Sequence, residues 1–392
     1  MKRIVLIVMV LIPLFAFSQN FKFSTKDTLN GKPKHEIAFS GWVWSIFNYD
    51  FVGIDSKYPA LNIASVPVGD HIDDPFMNFD AFQTRLRFKS THQTKSLGEI
   101  KLYVEGDFVS GTGAFRLRHA LISVGRFDFG QTWSNMADEM CWPNVTDYDG
   151  PPTGIWPRPT MIRYHILRGE KSSLAISAEG PSLDYISGPD SPVMFDTLVF
   201  TSNQNVPDFT LRYRFDTKRV NLQVSGVYRN IRYFDGVDST HYYKTGYGIA
   251  LSSIFTLGQR QDKLYLQASL GRGISRYLVG YEGRLWDAVS SGTHDISLLP
   301  VVGGFLGYDH FWTKKKNFSS TVVFGVTNVQ NDIDVYSSFD DFMLGYWAVA
   351  NLWWYPVDNL SFAVEYAHAY RQDFYGKDGT AGRIQFIAMY SF

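Results

Sequence analysis

Residues 80–89 read Asp80-Ala81-Phe82-Gln83-Thr84-Arg85-Leu86-Arg87-Phe88-Lys89, and the pattern has a period of two. Phe82, Thr84, Leu86 and Phe88 fall on one side, and Gln83, Arg85, Arg87 and Lys89 on the other. That period belongs to a strand with one apolar and one polar face. Glu99–Phe108 repeats it, setting Ile100, Leu102, Val104 and Phe108 against Glu99, Lys101, Glu105 and Asp107. Phe209–Phe215 places Arg212 and Arg214 opposite Leu211 and Tyr213, and the final segment sets Ile384, Phe386, Ala388, Tyr390 and Phe392 against Arg383 and Gln385. A soluble sandwich alternates in the same way, so the lengths of segments and connections must decide.

Working outward, the alternation predicts sixteen strands: 37–47, 79–89, 99–108, 115–123, 126–133, 159–167, 172–179, 208–215, 220–230, 243–256, 263–273, 299–311, 318–327, 343–355, 360–371 and 382–392. Many approach the ~9–11 residues that a tilted membrane strand needs. Connections after odd-numbered strands are mostly long: 48–78, 134–158, 180–207, 231–242, 274–298, 328–342 and 372–381. Those after even-numbered strands are short and polar, and only 109–114 breaks the rule. Segregated loop lengths mark an all-β transmembrane antiparallel barrel, with long outer loops, short periplasmic turns and both termini in the periplasm. The expected organisation is a signal peptide at 1–18, a short periplasmic segment at 19–34, and a barrel over 35–392. The signal consists of basic Lys2-Arg3, the apolar run Ile4–Phe15 and small residues at Ala16 and Ser18.

Composition excludes other classes. Of 392 residues, 31 are Phe, 23 Tyr and 10 Trp, too aromatic a chain for disorder. The lone Cys141 rules out a disulfide framework and a Cys-based metal site. A net charge of −1 gives no reason to expect nucleic acid as a partner. Aromatics cluster at strand ends (Trp42 and Trp44; Trp347, Trp353, Trp354 and Tyr355; Tyr390), where rings of an interfacial belt would sit.

Several blocks then carry a resemblance. Val104-Glu105-Gly106-Asp107-Phe108, Phe115-Arg116-Leu117-Arg118-His119-Ala120 and Gly130-Gln131-Thr132-Trp133-Ser134 follow in order. Asp147-Tyr148-Asp149-Gly150-Pro151, Arg158 and Ile162-Arg163-Tyr164 come next. Near the end stand Asn351-Leu352-Trp353-Trp354-Tyr355-Pro356, Leu360, Glu365-Tyr366, Gly382-Arg383-Ile384-Gln385-Phe386 and Tyr390-Ser391-Phe392. Over about 80–170 and 345–392 the chain resembles the DcaP-like family of trimeric outer-membrane porins. The resemblance implies a sixteen-stranded trimeric barrel, a loop folded inward after the fifth strand, and passage of small anionic solutes such as dicarboxylates. Members of that family carry a longer N-terminal coiled coil, whereas Gln19–Lys34 is too short for several heptads.

The candidate chemistry is charge. If the apolar faces meet lipid, the lumen receives Arg85, Arg87, Arg116, Arg118, Arg163, Arg212, Arg214, Arg229 and Arg383. Guanidinium groups stay charged and grip carboxylates with paired bonds, so such a wall would attract anions; alternatively the arginines pair with Glu99, Glu105, Asp107 and Glu365 and brace the barrel. In the candidate constriction loop, Ser134–Pro157, the acids Asp138, Glu139, Asp147 and Asp149 would face that wall. Asp147-x-Asp149-Gly150 begins like a calcium loop, but the twelfth position is Arg158 and not Glu, so no metal or other cofactor is expected. Enzyme motifs are absent, although His119 lies on the apolar side of its strand, the one hint of an outer-membrane hydrolase. The expected function is therefore a passive diffusion channel whose partners are outer-membrane lipid, further copies of itself and small anionic solutes in transit. A non-conducting adhesive or structural barrel and a barrel hydrolase are the alternatives.

Overall fold

The alternation is realised as strands that pair in chain order and close on themselves. The computed structural model describes residues 21–52, 54, 60–69, 74–109, 113–181, 186–187, 200–202, 204–235, 238–281, 284, 286–290, 295–330 and 342–392. The expected signal peptide lies outside the described residues, as does most of the connection 180–207.

The first strand is His35–Asp50, and the second comes in two pieces, Phe76–Asp80 and Arg85–Thr94. Gly98–Asp107, Arg116–Val124, Phe127–Gln131, Thr160–Arg168, Ser172–Glu179 and Asp208–Asp216 are the third to eighth. Val220–Asp235, Thr240–Leu257, Asp262–Arg272, Pro300–Phe311, Phe318–Val329, Phe342–Val357, Leu360–Asp373 and Asp378–Ser391 complete the sixteen. Each pairs antiparallel with the next, and the sixteenth returns to the first from Ser391↔Trp42 to Arg383↔Asp50. Closure removes both sheet edges, as a wall facing lipid requires.

Two connections differ from expectation. The ninth and tenth strands stay paired as far as Asp235↔Thr240, because alternation continues through Ile231, Tyr233 and Thr240. The fifteenth and sixteenth stay paired to Gln372↔Asp378, with Gly376 at φ +78° in the turn. Connections 231–242 and 372–381 are therefore hairpins, and 109–114 is not the single short one. The segment before the barrel also folds: Phe21–Ser24 pairs with Glu36–Phe39 of the first strand.

Side-chain parity separates two surfaces. Val322 is 56% exposed on the outside while its neighbour Val323 is 1% exposed. Outward rows such as Val302, Leu306 and Tyr308 or Leu352 and Trp354 form the apolar belt. The interior is not a plain polar channel. Leu61, Ile63 and Val66 of the first outer connection, Met136, Ile155 and Trp156 of the third, and Tyr277, Leu278 and Tyr281 of the sixth pack together inside the barrel. Three long loops turn inward and fill part of the lumen with an apolar core. Most of the aromatic rings expected in the interfacial belt lie inside the barrel. Trp42, Trp44, Trp353 and Tyr355 point inward, Trp347 is buried in that core, and only Trp354 and Tyr390 of the set face out. Strand-end position does not reveal which face a ring takes; parity does.

Candidate functional site

The loop between Gln131 and Thr160 crosses the lumen, and its local chemistry explains how a non-regular segment is tolerated inside a barrel. Ser134 N donates to Pro157 O at 3.0 Å, pinching the loop at its base. Pro143, Pro151, Pro152 and Pro157 are buried and bring no N–H that would need a partner. The remaining donors and acceptors are met by the wall. Glu179 accepts from Ser134 Oγ at 2.8 Å and Asn135 N at 3.1 Å. Asn144 O accepts from Asn351 at 2.8 Å and from Trp353 Nε1 at 2.9 Å. Thr146 donates its N–H to Glu365 at 2.8 Å and its hydroxyl to Gln385 at 2.9 Å, while Ile155 N donates to Gln267 at 2.7 Å. The lone Cys141 is a buried free thiol whose Sγ–H donates to Leu266 O at 3.3 Å, and burial pushes its pKa up. Glycines on the facing strands give the loop room. A Cβ on Gly325 would overlap Thr153 Oγ1, and one on Gly303 would meet Leu278 at 2.6 Å.

The four loop acids are dispersed. Asp138 caps the turn Glu139–Cys141 and is held by the far wall, with Arg214 and Ser252 both at 2.5 Å. Asp147 is buried and accepts from Leu61 N at 2.8 Å and Asp149 N at 3.0 Å, which latches the first long loop onto this one. Burial pushes the Asp147 carboxyl up to about 6. Asp149 is half-buried, and the neighbouring Tyr148 ring lies 5.9 Å from the Arg116 guanidinium. Glu139 alone of the four is exposed, and it lines the open cavity.

The arginines all face inward but divide into groups. Arg85, Arg87, Arg116 and Arg118 come together on the second to fourth strands around two carboxylates. Glu105 takes Arg87 at 2.6 Å, Arg118 at 3.3 Å and Arg85 at 3.4 Å. Asp107 takes both Arg116 and Arg118 at 2.9 Å. A β-bulge makes this possible: Glu105 pairs with His119 and Gly106 with Leu117, leaving Arg118 as the extra residue. Arg118 and His119 therefore both turn inward. This corrects the placement of His119 on the apolar side; its Nδ1 lies 3.1 Å from Thr132 Oγ1. The other arginines do not join the cluster. Arg214 holds Asp138, and Arg163 donates to Trp133 O. Arg212 Nε is buried without a hydrogen-bond partner among the described residues. Arg229 joins Asp208 at 3.1 Å and Asp287 at 2.7 Å. Arg383 clasps Asp50 through two bonds of 2.6 and 2.9 Å at the barrel seam.

Between the loop and the cluster lies a cavity of about 650 Å³, lined by Trp42, Arg85, Arg118, Glu139, Trp142 and Lys263 among others. Its lining includes Lys263, next to the short turn before the eleventh strand, and Trp42. Arg85 lies 4.5 Å above the Trp42 ring, and Arg158 lies 4.7 Å from the Trp133 ring. Sequence reasoning missed Lys263 and the inward tryptophans. Lys263 shares parity with Tyr265, Gln267 and Ser269, a signal that was available. Among the described residues no group of three or more His, Cys, Asp or Glu side chains could hold a metal ion.

The model of the DcaP outer membrane protein family matches residues 13–392. No curated protein matches the sequence. The outer membrane channel DcaP of Acinetobacter baumannii superimposes with a TM-score of 0.76 at 21% identity, covering 91% of this chain and 97% of that one. The anion-selective porin from Comamonas acidovorans gives 0.58 at 9% identity, over 91% and 100% of the two chains. OmpT of Vibrio cholerae in its trimer form gives 0.52 at 8% identity, over 91% and 99%.

Proposed function

Since the chain belongs to the DcaP outer membrane protein family and is an integral outer-membrane porin, we propose that it passes small anionic solutes, dicarboxylates among them, and holds back cations. The observation that carries this is the charge on the wall of the second to fourth strands. Among the described residues four guanidinium groups pair with Glu105 and Asp107, and Arg158 and Asp149 act on the same cluster, so it keeps an excess of two positive charges beside the cavity. In a narrow lumen such an excess concentrates anions. The likeness to a porin described as anion-selective supports the same reading.

The test is the reversal potential in a salt gradient across a planar bilayer. Replacing Arg116 and Arg118 by Gln removes the excess. At low salt the anion-to-cation permeability ratio should fall by roughly fiftyfold, since each of two charges about 7 Å away in water favours an anion and disfavours a cation by about 0.6 kcal/mol. Arg118 is 3% exposed and holds two carboxylates, so Arg116→Gln alone, at a side chain 31% exposed, is the variant to fall back on. An unchanged ratio in a folded variant would show that these arginines only brace the wall.

Ile100, Leu102, Val104, Phe115 and Leu117 face outward on or next to the two strands that the short connection 109–114 joins, an apolar face suited to a homotrimer with the first five strands near its axis. Light scattering on gently solubilised protein checks this, and a purely monomeric result opposes it. Residues 1–18 act as a cleaved signal peptide in this reading, so N-terminal sequencing of the mature protein should begin at Gln19.

A further inference from the structure

The short-turn end carries a second feature that the pore does not use. On the outer face of the barrel, the turn after Leu257 and the turn after Phe311 lie side by side and form an open groove of about 770 Å³, lined by Leu257, Arg260, Asp262, His310, Lys314 and Lys316 among others. Gln261 at φ +62° and Lys316 at φ +55° give each turn a residue in the left-handed conformation. Arg260, Lys314 and Lys315 are exposed, and Lys316 is half-buried, 2.6 Å from Gln261 Oε1 and 4.8 Å above the Phe311 ring.

The one acid in the groove is already occupied. Asp262 accepts from Phe311 N at 2.9 Å and from Tyr308 Oη at 3.0 Å, and it faces His310 Nδ1 at 3.0 Å. Three cations, Arg260, Lys314 and Lys316, therefore line a groove whose one carboxylate is engaged by the barrel itself. Below them an apolar strip descends the outside of the wall: Phe255, Leu257, Leu306 and Tyr308, with Trp312 57% exposed at its upper edge. Trp312 Nε1 donates to Ser320 Oγ at 2.9 Å, which fixes the ring at the level where polar and apolar surfaces meet.

We propose that this groove is a binding site for the phosphate headgroup of a glycerophospholipid in the inner leaflet of the outer membrane. Arg260, Lys314 and Lys316 grip the phosphate, and the acyl chains lie on the strip from Trp312 to Leu306. Basic groups at the rim with an apolar strip beneath match a phosphate joined to two chains, whereas a free anion would leave the strip without a role. The site lies outside the lumen and does not depend on the pore's selectivity.

Native mass spectrometry of the delipidated full-length barrel, titrated with dioleoyl phosphatidylglycerol, dioleoylglycerol or inorganic phosphate, tests the assignment. The wild type should retain phosphatidylglycerol and neither of the other two. The triple variant Arg260→Gln, Lys314→Gln, Lys316→Gln should bind it roughly a hundredfold more weakly while its conductance and heat-modifiable migration stay unchanged. Lys314→Gln alone, at an exposed turn position, provides the comparison if the triple variant does not refold. Equal retention of dioleoylglycerol, equal binding of inorganic phosphate, or undiminished lipid binding by the folded variants would each overturn the site.

Discussion

At the scale of single residues, Asp147 shows how a carboxylate can be structural in a place where sequence suggests a field-forming charge. It sits beneath Leu61 with both oxygens accepting backbone N–H bonds, yet burial outweighs those bonds and lifts its pKa to about 6. An acid whose folded pKa lies above its ordinary value contributes stability that is fully present at low pH and lost as pH rises through the folded pKa. The window here runs from about pH 4 to about 6. The latch between the first and third outer loops should therefore loosen as pH rises through about 6, seen as growing open-channel current noise. Asp147→Asn should flatten that dependence; noise that follows the same pH curve in the variant would assign the titration elsewhere.

At the scale of elements, the inward loop is held by a wall made to receive it. Gly303 and Gly325 are the small residues on strands where Val301, Phe305 and Val323 otherwise fill the inner face. Gly325→Val would drive a branched side chain into Thr153, and overpacking of a fitted contact costs about 1–3 kcal/mol. The strand itself tolerates valine, so the loop should give way while the barrel stands. The expected outcome is an altered single-channel conductance with unchanged heat-modifiable migration. Wild-type conductance would mean that the loop at Thr153 does not border the conducting path. The bulge at Arg118 works at the same scale: one extra residue brings two consecutive side chains to the inner face and completes the arginine cluster.

At the scale of the whole molecule, stability rests on closing the sheet between its first and last strands. Asp50 and Arg383 are paired in register at that seam, joined by two charge-assisted bonds and each side chain 2% exposed. Removing one partner of such a buried pair leaves the other uncompensated, at a cost of about 3–5 kcal/mol. Arg383→Gln should lower the temperature at which the folded, fast-migrating band converts to the unfolded one. The double variant with Asp50→Asn should recover much of the loss. Equal midpoints for the single variant and the wild type would show that the backbone ladder alone holds the seam.

The sixteen strands, their order and their outward faces were legible in the chain, because a period of two and the segregation of loop lengths are local properties that a membrane wall imposes directly. The blocks around Glu105, Arg116 and Arg163 also carried the family. What the chain could not declare was the inside. Whether Trp42 and Trp353 face lipid or lumen, whether Asp138 opposes the arginine wall or is bound behind it, and whether Leu61 and Tyr277 belong to surface loops or to a core all depend on where three long loops fold back. Those positions are set by contacts between residues up to about two hundred or more places apart, such as Thr146 with Gln385. A bulge of one residue reversed the parity at His119, and no alternation pattern marks where a ladder will slip. Only the closed barrel, with its loops packed inside, decided which charges remain in excess beside the pore.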